Sequence, residues 1–461
     1  MSLKSLTVLT QLAGLPTPAP ETVQLDGIDP LFPTRYRVVA PGAAAIAATG
    51  LAASELWALR TGRRQKVRVG AYAAAAALRS SRYLRINGER PSEASEKITG
   101  FYQLKDGRWI YLHCNFFNLR ERNLSVLGVP EKRDEVVKAV AKWDGQELEN
   151  AIFAAGGCGS FVRSEQEWAE LPQSQAAATL PLIEIVKIGD APPQPLPAGD
   201  RPLSGIRVLD LTRVLAGPTC ARTLAEHGAD VLRLTREGMA DSGISDFDTG
   251  IGKLSAYIDL RKPDEVELLR SLVRSSDVFS QSYRPGSLAN RGFSAEALAE
   301  LRPGIVYVTL SAWGHEGPWR MRRGYDTVVQ SANGLAFQGL DKQPEFLPVS
   351  AQDYIAGYVL AFGTMMALAR RAHEGGSWLV RTSLASAGHW IRSHGLLTAQ
   401  EYGNVPPEFP ADELQALLTE SNSPAGRLTH LKPAVQMSET PARWTRPAVP
   451  LGFNPPAWPT R

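Results

Sequence analysis

The pattern of apolar and polar positions is clearest between residues 204 and 236. Ile206–Leu211 is a β-branched and leucine-rich run with turn residues on both sides, which predicts a buried strand. Thr219–His227 carries apolar residues at helical spacing, Gly228 ends it, and Ala229–Leu234 predicts a second strand. A strand, a turn, a helix and a strand form a βαβ unit, so we expect a parallel sheet here.

The same alternation continues along the chain to about residue 350. Three further runs predict strands and two predict helices: Leu254–Leu260, Asp277–Ser282 and Ile305–Leu310, with Asp264–Ser275 and Ser294–Leu301 between them. This order predicts a doubly wound α/β domain. Because ligands of such sheets bind beyond the carboxyl ends of the strands, we expect the functional site at the turn Arg213–Pro218.

Composition divides the chain into seven segments. They are a Pro-rich irregular arm (1–41), linking helices (42–90), a small α+β domain (91–190), a Pro-rich linker (191–202), the doubly wound domain (203–350), a second set of linking helices (351–395) and a Pro-rich C-terminal extension (396–461). Asp106-Gly107 between two apolar runs predicts a hairpin in the small domain. We expect residues 441–459 to wrap a surface of the protein.

The two sets of linking helices resemble each other. Apolar positions between Ile46 and Leu59 match positions between Ile355 and Leu368 in register, and after a four-residue offset Val67-Arg68 and Arg79-Ser80 match Val380-Arg381 and Arg392-Ser393. Alanine-rich helices match easily, so the later pairs carry the argument for a duplication. Asp353 of the second copy aligns with Ala44 of the first.

Composition disfavours several classes of protein: nucleic-acid-binding, disulfide-rich and membrane-spanning. The chain has 461 residues, 44% of them apolar, and a net charge of +3, which is typical of a soluble globular protein and does not indicate a nucleic-acid partner. Cys114, Cys158 and Cys220 are scattered, which predicts neither a disulfide framework nor a metal site and favours the cytoplasm. Ala43–Ala53 and Tyr358–Ala369 are too short to span a bilayer, so we expect no membrane partner.

Familiar nucleotide-binding and catalytic motifs are missing from the sheet region. No GxGxxG follows the first strand, and neither a GxSxG elbow nor a Walker loop is present, which disfavours a nicotinamide-dependent dehydrogenase. Six segments in order instead carry a resemblance: VLDLTRVLAGPTCARTLAEHGADVLRL, GKLSAYIDL, SDVFSQSYRPGSLANRGF, IVYVTLSAWGHEGP, RGYDTVVQSANG and PVSAQDYIAGYVLAFGTMMALARR. They resemble the class III coenzyme A transferases, the family that includes formyl-CoA transferase, carnitine CoA-transferase and the α-methylacyl-CoA racemases.

The resemblance runs from about Leu203 to Ser393 and implies a fold. We expect a Rossmann-like CoA-binding domain with a doubly wound parallel sheet, plus a smaller α+β domain joined by long linking helices. Residues 42–79 and 101–184 look like the family's linking helices and small domain, so the order is rotated. The family's interlocked homodimer is implied as well.

The resemblance also implies a carboxylate nucleophile at Asp353. Moving CoA between two carboxylic acids without hydrolysis needs a covalent carrier, and an aspartate can form a mixed anhydride and then an aspartyl-CoA thioester. The start of an apolar helix would favour the ionised form of Asp353. Its structural alternative is a helix N-cap. Tyr325 is expected beside the nucleophile, where it would donate a hydrogen bond to an oxyanion or simply pack in the core.

CoA carries phosphates, so basic residues are expected at the strand ends. The family pattern places Arg236, Lys253, Arg284 and Arg323 there, each with the alternative of a solvated surface charge. The backbone of Val214, Leu215 and Ala216 would lie along the pantetheine arm, with Gly217 permitting close approach. CoA and acyl-CoA are then substrates, and no permanently bound cofactor is expected.

Departures from the family pattern leave alternatives open. Leu215 stands where formyl-CoA transferases have Gln, and their glycine-rich flap has no counterpart. Gly324-Tyr325-Asp326 stands where racemases have a His before the Asp, which removes one base of a two-base proton shuttle and favours CoA transfer. The alternatives are an acyl-CoA racemase or isomerase with Asp353 as base, and an inactive CoA-binding paralogue. Trp313, Trp319 and Phe337 indicate a substrate acid larger and less polar than oxalate.

Overall fold

The computed structural model describes residues 2–26, 29–91, 97–239 and 243–459. Its N-terminal part is built from short elements around one long helix. In chain order they are α1 Ser2–Leu12, β1 Val23–Asp26, α2 Val39–Thr61, β2 Val67–Gly70, α3 Ala71–Ala77, a 3₁₀ turn Ser80–Tyr83, β3 Arg85–Ile86, β4 Gly100–Gln103, β5 Trp109–Leu112, α4 Phe117–Leu127, α5 Arg133–Val140, α6 Gly145–Ala154, β6 Gly159–Phe161, α7 Glu165–Ala169, α8 Pro172–Ala178 and β7 Glu184–Gly189.

Strands and helices alternate in the middle of the chain, as the sequence predicts. The elements are β8 Arg207–Leu211, α9 Ala216–Glu226, β9 Asp230–Thr235, α10 Ile244–Asp248, β10 Lys253–Tyr257, α11 Pro263–Arg274, β11 Val278–Gln281, a 3₁₀ turn Ala289–Arg291, α12 Ala295–Leu301, β12 Val306–Ser311 and α13 Asp326–Ala332. Predicted strand bounds differ from these by one to three residues. Helix α9 begins at Ala216, so Pro218 is its third residue.

The C-terminal part starts with the longest helix. It contains α14 Ala351–Glu374, β13 Ser377–Ser383, α15 Leu384–Ser393, α16 Ala399–Tyr402, α17 Ala411–Leu417, β14 Leu418–Ser423, β15 Gly426–Leu431 and β16 Val435–Met437.

A seven-stranded sheet organises the molecule, in the order β10-β9-β8-β11-β12-β13-β7. Every neighbouring pair is parallel except β13 and β7. The prediction of an α/β fold with a large, mostly parallel sheet is therefore confirmed. The strand order reverses between β8 and β11, which leaves a crevice at their carboxyl ends where ligands of such sheets bind.

Small sheets surround this one. The hairpin predicted at Asp106-Gly107 is β4–β5, and Gly107 has the positive φ of 82° that its turn requires. The tail from residue 441 wraps the far edge of the large sheet, where the amide of Asn454 donates to the carbonyl of Ser255 at 2.7 Å. The expectation of a wrapping tail is thus confirmed.

Three expectations about irregular segments are wrong. Residues 1–41 contain α1, whose Leu6 and Leu9 are fully buried. The segment expected to contain linking helices (42–90) also contains strands β2 and β3, and α3 ends at Ala77, ahead of the 3₁₀ turn. The extension beyond residue 395 contains β14, β15 and β16, and β15 and β16 pair with β3 and β2 from the N-terminal part. These strands are held by distant partners, which a local pattern does not show.

The two linking-helix sets have matching structures. We call α2, β2 and α3 with the 3₁₀ turn the first unit, and α14, β13 and α15 the second unit. In each, a long apolar helix leads into a strand with one parallel and one antiparallel neighbour: β1 and β16 flank β2, while β12 and β7 flank β13. Helices α2 and α14 pack against each other.

Helix α2 is longer than the apolar stretch predicted from sequence. With 23 residues it has the length and mean hydropathy of a membrane span, so the expectation that this segment is too short was wrong. Most of it is buried inside the protein. Among the described residues it is the one helix that meets these criteria.

Candidate active site

A cavity of about 720 Å³ opens at the carboxyl edge of the sheet. It is bounded by the turns that follow β8, β9, β11 and β12, by the first turn of α14 and by the start of α4. Eight of the nine site residues predicted from sequence line it: Val214, Leu215, Ala216, Arg236, Arg284, Arg323, Tyr325 and Asp353. The structure therefore brings together residues that lie up to 140 positions apart in the chain because each follows a strand or begins a helix at this edge.

Asp353 lies in the first turn of α14, with 8% of its surface exposed. It is the third residue of the helix and not the N-cap, which is Ser350. Its side chain makes no hydrogen bond to a described residue, whereas its backbone amide donates to Oδ2 of Asp326 at 3.0 Å. Asp353 is therefore not a helix cap, because the free amide in the first turn of α14 is bonded by Asp326.

Burial raises the pKa of Asp353 well above its usual range, and the neighbouring Asp326 carboxylate raises it further. The pKa of Asp326 is itself raised by burial, to about 6. The expectation that the helix N-terminus favours an ionised Asp353 is thus outweighed by desolvation and like charge. A carboxylate held this way is a stronger base, and hence a stronger nucleophile, than one in water.

Tyr325 precedes α13 and lines the cavity wall. Its ring stacks on the imidazole of His113 with centroids 4.2 Å apart. Burial raises the pKa of the Tyr325 hydroxyl, so the group keeps its proton and can donate a hydrogen bond. Burial lowers the pKa of His113 to about 3, which leaves the imidazole neutral.

Arginines dominate the charge of the cavity. Six line it: Arg213, Arg236, Arg284, Arg320, Arg322 and Arg323. Among the described lining residues Asp353 carries the one acidic side chain. Burial and the neighbouring Arg284 lower the pKa of Arg323, which shows how closely the cations are grouped. Such a concentration of guanidinium groups suits a ligand with several phosphate or carboxylate groups.

The turn between β8 and α9 contacts the first turns of α14. Val214 has a φ of 70°, a region that β-branched residues rarely occupy, so the turn holds strain beside the cavity. A Cβ at Gly217 would lie 2.4 Å from Cβ of Thr212, so the missing side chain makes room for Thr212. Close approach of a ligand to the Gly217 backbone stays a prediction. Gly357 of α14 likewise leaves room for the carbonyl of Ala216.

Lys253 is the predicted site residue that the structure places elsewhere. It is 1% exposed, and its Nζ donates to Oδ2 of Asp210 at 2.7 Å and to the carbonyl of Pro218 at 2.9 Å. Burial lowers its pKa to about 8, against the opposing effect of Asp210. Its ammonium group therefore fastens α9 to the sheet and does not face the cavity.

Trp313 and Trp319 also lie outside the cavity. They pack with Trp168 as a cluster, with the Trp313 and Trp319 ring centroids 5.0 Å apart. Phe337 does not line the cavity either. The inference of a large apolar substrate acid from these residues has no support in their positions.

Several lining residues had no signal in the sequence. Phe116, Phe117 and Asn118 begin α4 of the small domain and form one side of the cavity, and Leu384 lines it from α15. Phe117 exposes 60% of its surface, which is unusual for this residue type. Arg213 lies in the turn that the sequence did point to, and its position after a strand could have identified it.

No cluster of three or more potential metal ligands occurs in the described ranges. The fold and the cavity together define a class of protein: an α/β protein with a large, mostly parallel sheet and an arginine-lined cavity that contains a buried carboxylate. Residues 203–419 match the family model described as CoA-transferase family III. The family resemblance seen in the six segments is thereby confirmed.

Curated relatives carry matching names. An acetyl-coenzyme A transferase (nodX) from Hypoxylon pulicicidum is 29% identical over 328 residues, 65% of this chain and 55% of that protein. The succinyl-CoA–L-malate CoA-transferase alpha subunit of Chloroflexus aurantiacus is 32% identical over 40% of this chain and 47% of that protein. The human succinyl-CoA:glutarate CoA-transferase is 30% identical over 42% and 48%. The chain thus spans about half the length of these relatives.

A solved structure of a CAIB/BAIF family protein from Brucella suis is also similar. It is 25% identical to this chain, with a TM-score of 0.40, and the match covers 50% of this chain and 65% of that one.

Proposed function

We propose that this protein is a CoA transferase that moves coenzyme A from an acyl-CoA donor to a carboxylic acid acceptor. The observation that carries the proposal is that six arginines and one buried carboxylate, Asp353, line the same cavity. The arginines suit the phosphates of CoA, and the carboxylate suits a covalent carrier of the acyl group and of CoA.

The proposed reaction balances without water or an external proton. An Asp353 carboxylate oxygen forms a bond to the thioester carbon of acyl-CoA, the C–S bond breaks, and CoA leaves as the thiolate. The thiolate then attacks the Asp353 carbonyl carbon of the mixed anhydride, which releases the donor acid and leaves an aspartyl-CoA thioester. The acceptor carboxylate reverses these two steps and restores Asp353.

Neighbouring groups support each step. Tyr325 would donate a hydrogen bond to the oxyanion of each tetrahedral intermediate, since its hydroxyl stays protonated. Arg236, Arg284 and Arg323 would hold the phosphates, and the backbone of Val214, Leu215 and Ala216 would lie along the pantetheine arm. Phe116 and Phe117 would cover the site from the small domain, in place of the missing glycine-rich flap.

The names of the relatives suggest first substrates to try. Those proteins are named for acetyl-CoA, succinyl-CoA, malate and glutarate. We propose acids of this size as donor and acceptor here, with CoA and acyl-CoA as substrates and no permanently bound cofactor.

The test is the intact mass of the protein after incubation with a set of acyl-CoA thioesters that includes acetyl-CoA and succinyl-CoA. We expect a gain equal to the acyl group or to CoA, removable by hydroxylamine and absent from Asp353→Asn. This variant keeps the size of the side chain and lacks the nucleophilic charge, so we expect transfer to fall by roughly a thousandfold or more.

Other results would assign another function. Exchange of the α-proton in deuterated water without an adduct would indicate a racemase or isomerase with Asp353 as base. The cavity argues against it, since no histidine lines the cavity beside Asp353 among the described residues. Bound CoA with neither adduct nor exchange would indicate an inactive CoA-binding protein.

Location and assembly complete the proposal. We place the protein in the cytoplasm, in keeping with three buried cysteines that form no disulfide. The homodimer is proposed from the family resemblance, and light scattering after size exclusion would measure the mass directly. A mass near 50 kDa would exclude the dimer.

A further inference from the structure

A second buried carboxylate lies directly behind Asp353. Asp326 is the first residue of α13 and is 4% exposed. Its Oδ2 accepts the hydrogen bond from the Asp353 amide at 3.0 Å, and its Oδ1 accepts one from the Gln330 side chain. Among the described residues neither carboxylate has an ion pair with a lysine or an arginine. Two neighbouring acids are thus buried together without a cation.

The hydrogen bonds around Asp326 are set by amide side chains. Gln330 donates to Asp326, while its own Oε1 accepts from the amide of Leu347 at 2.9 Å, so it cannot be reversed without losing a bond. Gln352 donates to the Asp326 carbonyl at 3.0 Å and accepts from Asn333 at 2.7 Å. Both side-chain oxygens of Asp326 thus accept a hydrogen bond, Oδ1 from Gln330 and Oδ2 from the Asp353 amide, which favours the ionised form of Asp326.

We propose that Asp326 is a positioning residue that fixes the first turn of α14 through the Asp353 amide and keeps a negative charge beside the Asp353 carboxylate. The inference rests on the proposed function of Asp353 as nucleophile. Repulsion between the two charges raises the basicity of Asp353 and is relieved when Asp353 forms a neutral anhydride.

Few other titratable groups face this pair. Tyr111 from β5 lies close enough to Asp326 for their charges to interact, and burial raises the Tyr111 pKa so that it stays neutral. Tyr325 lines the same cavity as Asp353 and is neutral for the same reason. The pKa of Asp353 is raised by burial and, next, by the charge of Asp326. The charge of Asp326 is therefore the main influence on the Asp353 pKa that a substitution can remove.

The experiment compares the pH dependence of adduct formation in wild type and Asp326→Asn. In the variant we expect the acidic midpoint of the rate to move about one pH unit or more lower and the plateau rate to fall roughly tenfold, since the nucleophile becomes less basic. A purely structural role would lower the rate equally at all pH values, and an unchanged midpoint would overturn the proposal.

A swap variant separates charge from hydrogen bonding. Asp326→Asn with Gln330→Glu exchanges the amide and the carboxylate, so every donor keeps an acceptor while the charge moves one side chain away from Asp353. We expect the swap to recover the thermal stability of wild type but not its acidic midpoint. Recovery of the midpoint as well would show that hydrogen bonding alone was responsible, which contradicts the proposal.

The first unit offers a matched control. Asp29 caps α2 as Asp326 caps α14: its carboxylate accepts from the amides of Val39 and Ala40, both at 2.9 Å. No cavity residue lies there. Asp29→Asn should lower stability by about 0.5–2 kcal/mol, the usual value of a cap, without moving the midpoint.

A titration keeps this test separate from that of the proposed function. The infrared band of the Asp353 carboxyl reports its ionisation directly. It is obtained as the difference between the spectra of wild type and Asp353→Asn, without any acyl-CoA. We expect its midpoint to fall in Asp326→Asn. If wild type forms no adduct, the proposed function fails while this band still decides the role of Asp326. If adducts form and the band does not shift, only the Asp326 proposal fails.

Discussion

The first and second units share one scaffold and differ in what lies at the head of their long helix. In both, a helix of more than 20 residues precedes a strand flanked by one parallel and one antiparallel partner. At the matching position the second unit has Asp353 in a 720 Å³ cavity, while the first has Ala44, which is fully buried. The scaffold alone therefore does not create the site.

The capping carboxylates show what distinguishes the two. Asp29 accepts three backbone hydrogen bonds at the start of α2, from Val38, Val39 and Ala40, which oppose the burial that raises its pKa. Asp326 accepts hydrogen bonds from the Asp353 amide and the Gln330 side chain and lies beside a second acid. The second unit thus carries an electrostatic conflict that the first lacks. Such conflicts are costly to stability and are characteristic of functional sites.

The largest effect is expected from placing an acid in the first unit. Ala44→Asp would bury a carboxylate without a cavity or a cation, and we expect a loss of about 3–5 kcal/mol of unfolding free energy at pH 8. Urea unfolding at pH 8 measures it, with Ala44→Asn as the uncharged control. A well-folded Ala44→Asp that takes up a second acyl group would show that the first unit retains a usable site, and would break the comparison.

Removing the acid from the second unit should raise the free energy of unfolding, whereas adding one to the first unit should lower it. The pKa values of Asp353 and Asp326 are raised on folding, so stability is fully present below the unfolded pKa of about 4 and is lost as pH rises through the folded values, about 6 for Asp326. Asp353→Asn removes this loss. We expect it to be more stable than wild type by about 1–3 kcal/mol at pH 8, with little difference at pH 4.

Thermal or urea unfolding at the two pH values checks this. An equal difference at both would mean that the ionisation of Asp353 is not the cause.

The sequence predicts the sheet and most of the cavity because both follow from local pattern. Each strand of β8 to β12 is a short apolar run between turn residues, and Arg236, Arg284 and Asp353 follow strands or begin a helix, so the shared edge brings them together. The site can be predicted because a residue that follows a parallel strand in the sequence lies at the carboxyl edge of the sheet.

The rest depends on contacts between distant segments. Lys253 does not follow this rule, because it is the first residue of β10, whereas Arg236 comes directly after β9. Its side chain pairs with Asp210 beneath α9, and no local pattern tells an inward lysine from an outward one. Phe116 and Phe117 reach the cavity only because the small domain packs over it. Strand β16 exists only through its pairing with β2, more than 360 residues earlier. Such features need the tertiary structure.

Helix packing offers a smaller, sharper test of the two units. Gly357 of α14 matches Ala48 of α2, and a Cβ at position 357 would lie 2.5 Å from the carbonyl oxygen of Ala216. Gly357→Ala should therefore cost about 1–3 kcal/mol and displace the turn that lines the cavity, weakening CoA binding. Ala48→Gly is the matched control and should lose about 0.5–1 kcal/mol without affecting CoA.

Unfolding midpoints and the Kd for CoA distinguish the two variants. Equal effects on CoA binding would mean that the contact of Gly357 with Ala216 does not shape the cavity.

The smallest effect concerns the arginines near each unit. Arg236 lines the cavity, whereas Arg64, between α2 and β2, forms an exposed ion pair with Glu55 at 2.7 Å. Loss of one charge-assisted phosphate contact is worth roughly 1–2 kcal/mol, so Arg236→Ala should raise the Kd for CoA about tenfold. Arg64→Ala removes the same charge from an exposed pair and should leave CoA binding and stability nearly unchanged.

Calorimetric titration with CoA and with dephospho-CoA at two salt concentrations measures these differences. The effect of Arg236→Ala should shrink at high salt because exposed charges are screened. An equal loss of affinity in both variants would mean that CoA is attracted by the net charge of the protein and not by the cavity beside the second unit. A loss confined to Arg236→Ala would show that CoA binds at the cavity beside the second unit. The first unit would then share the scaffold of the second without sharing its ligand site.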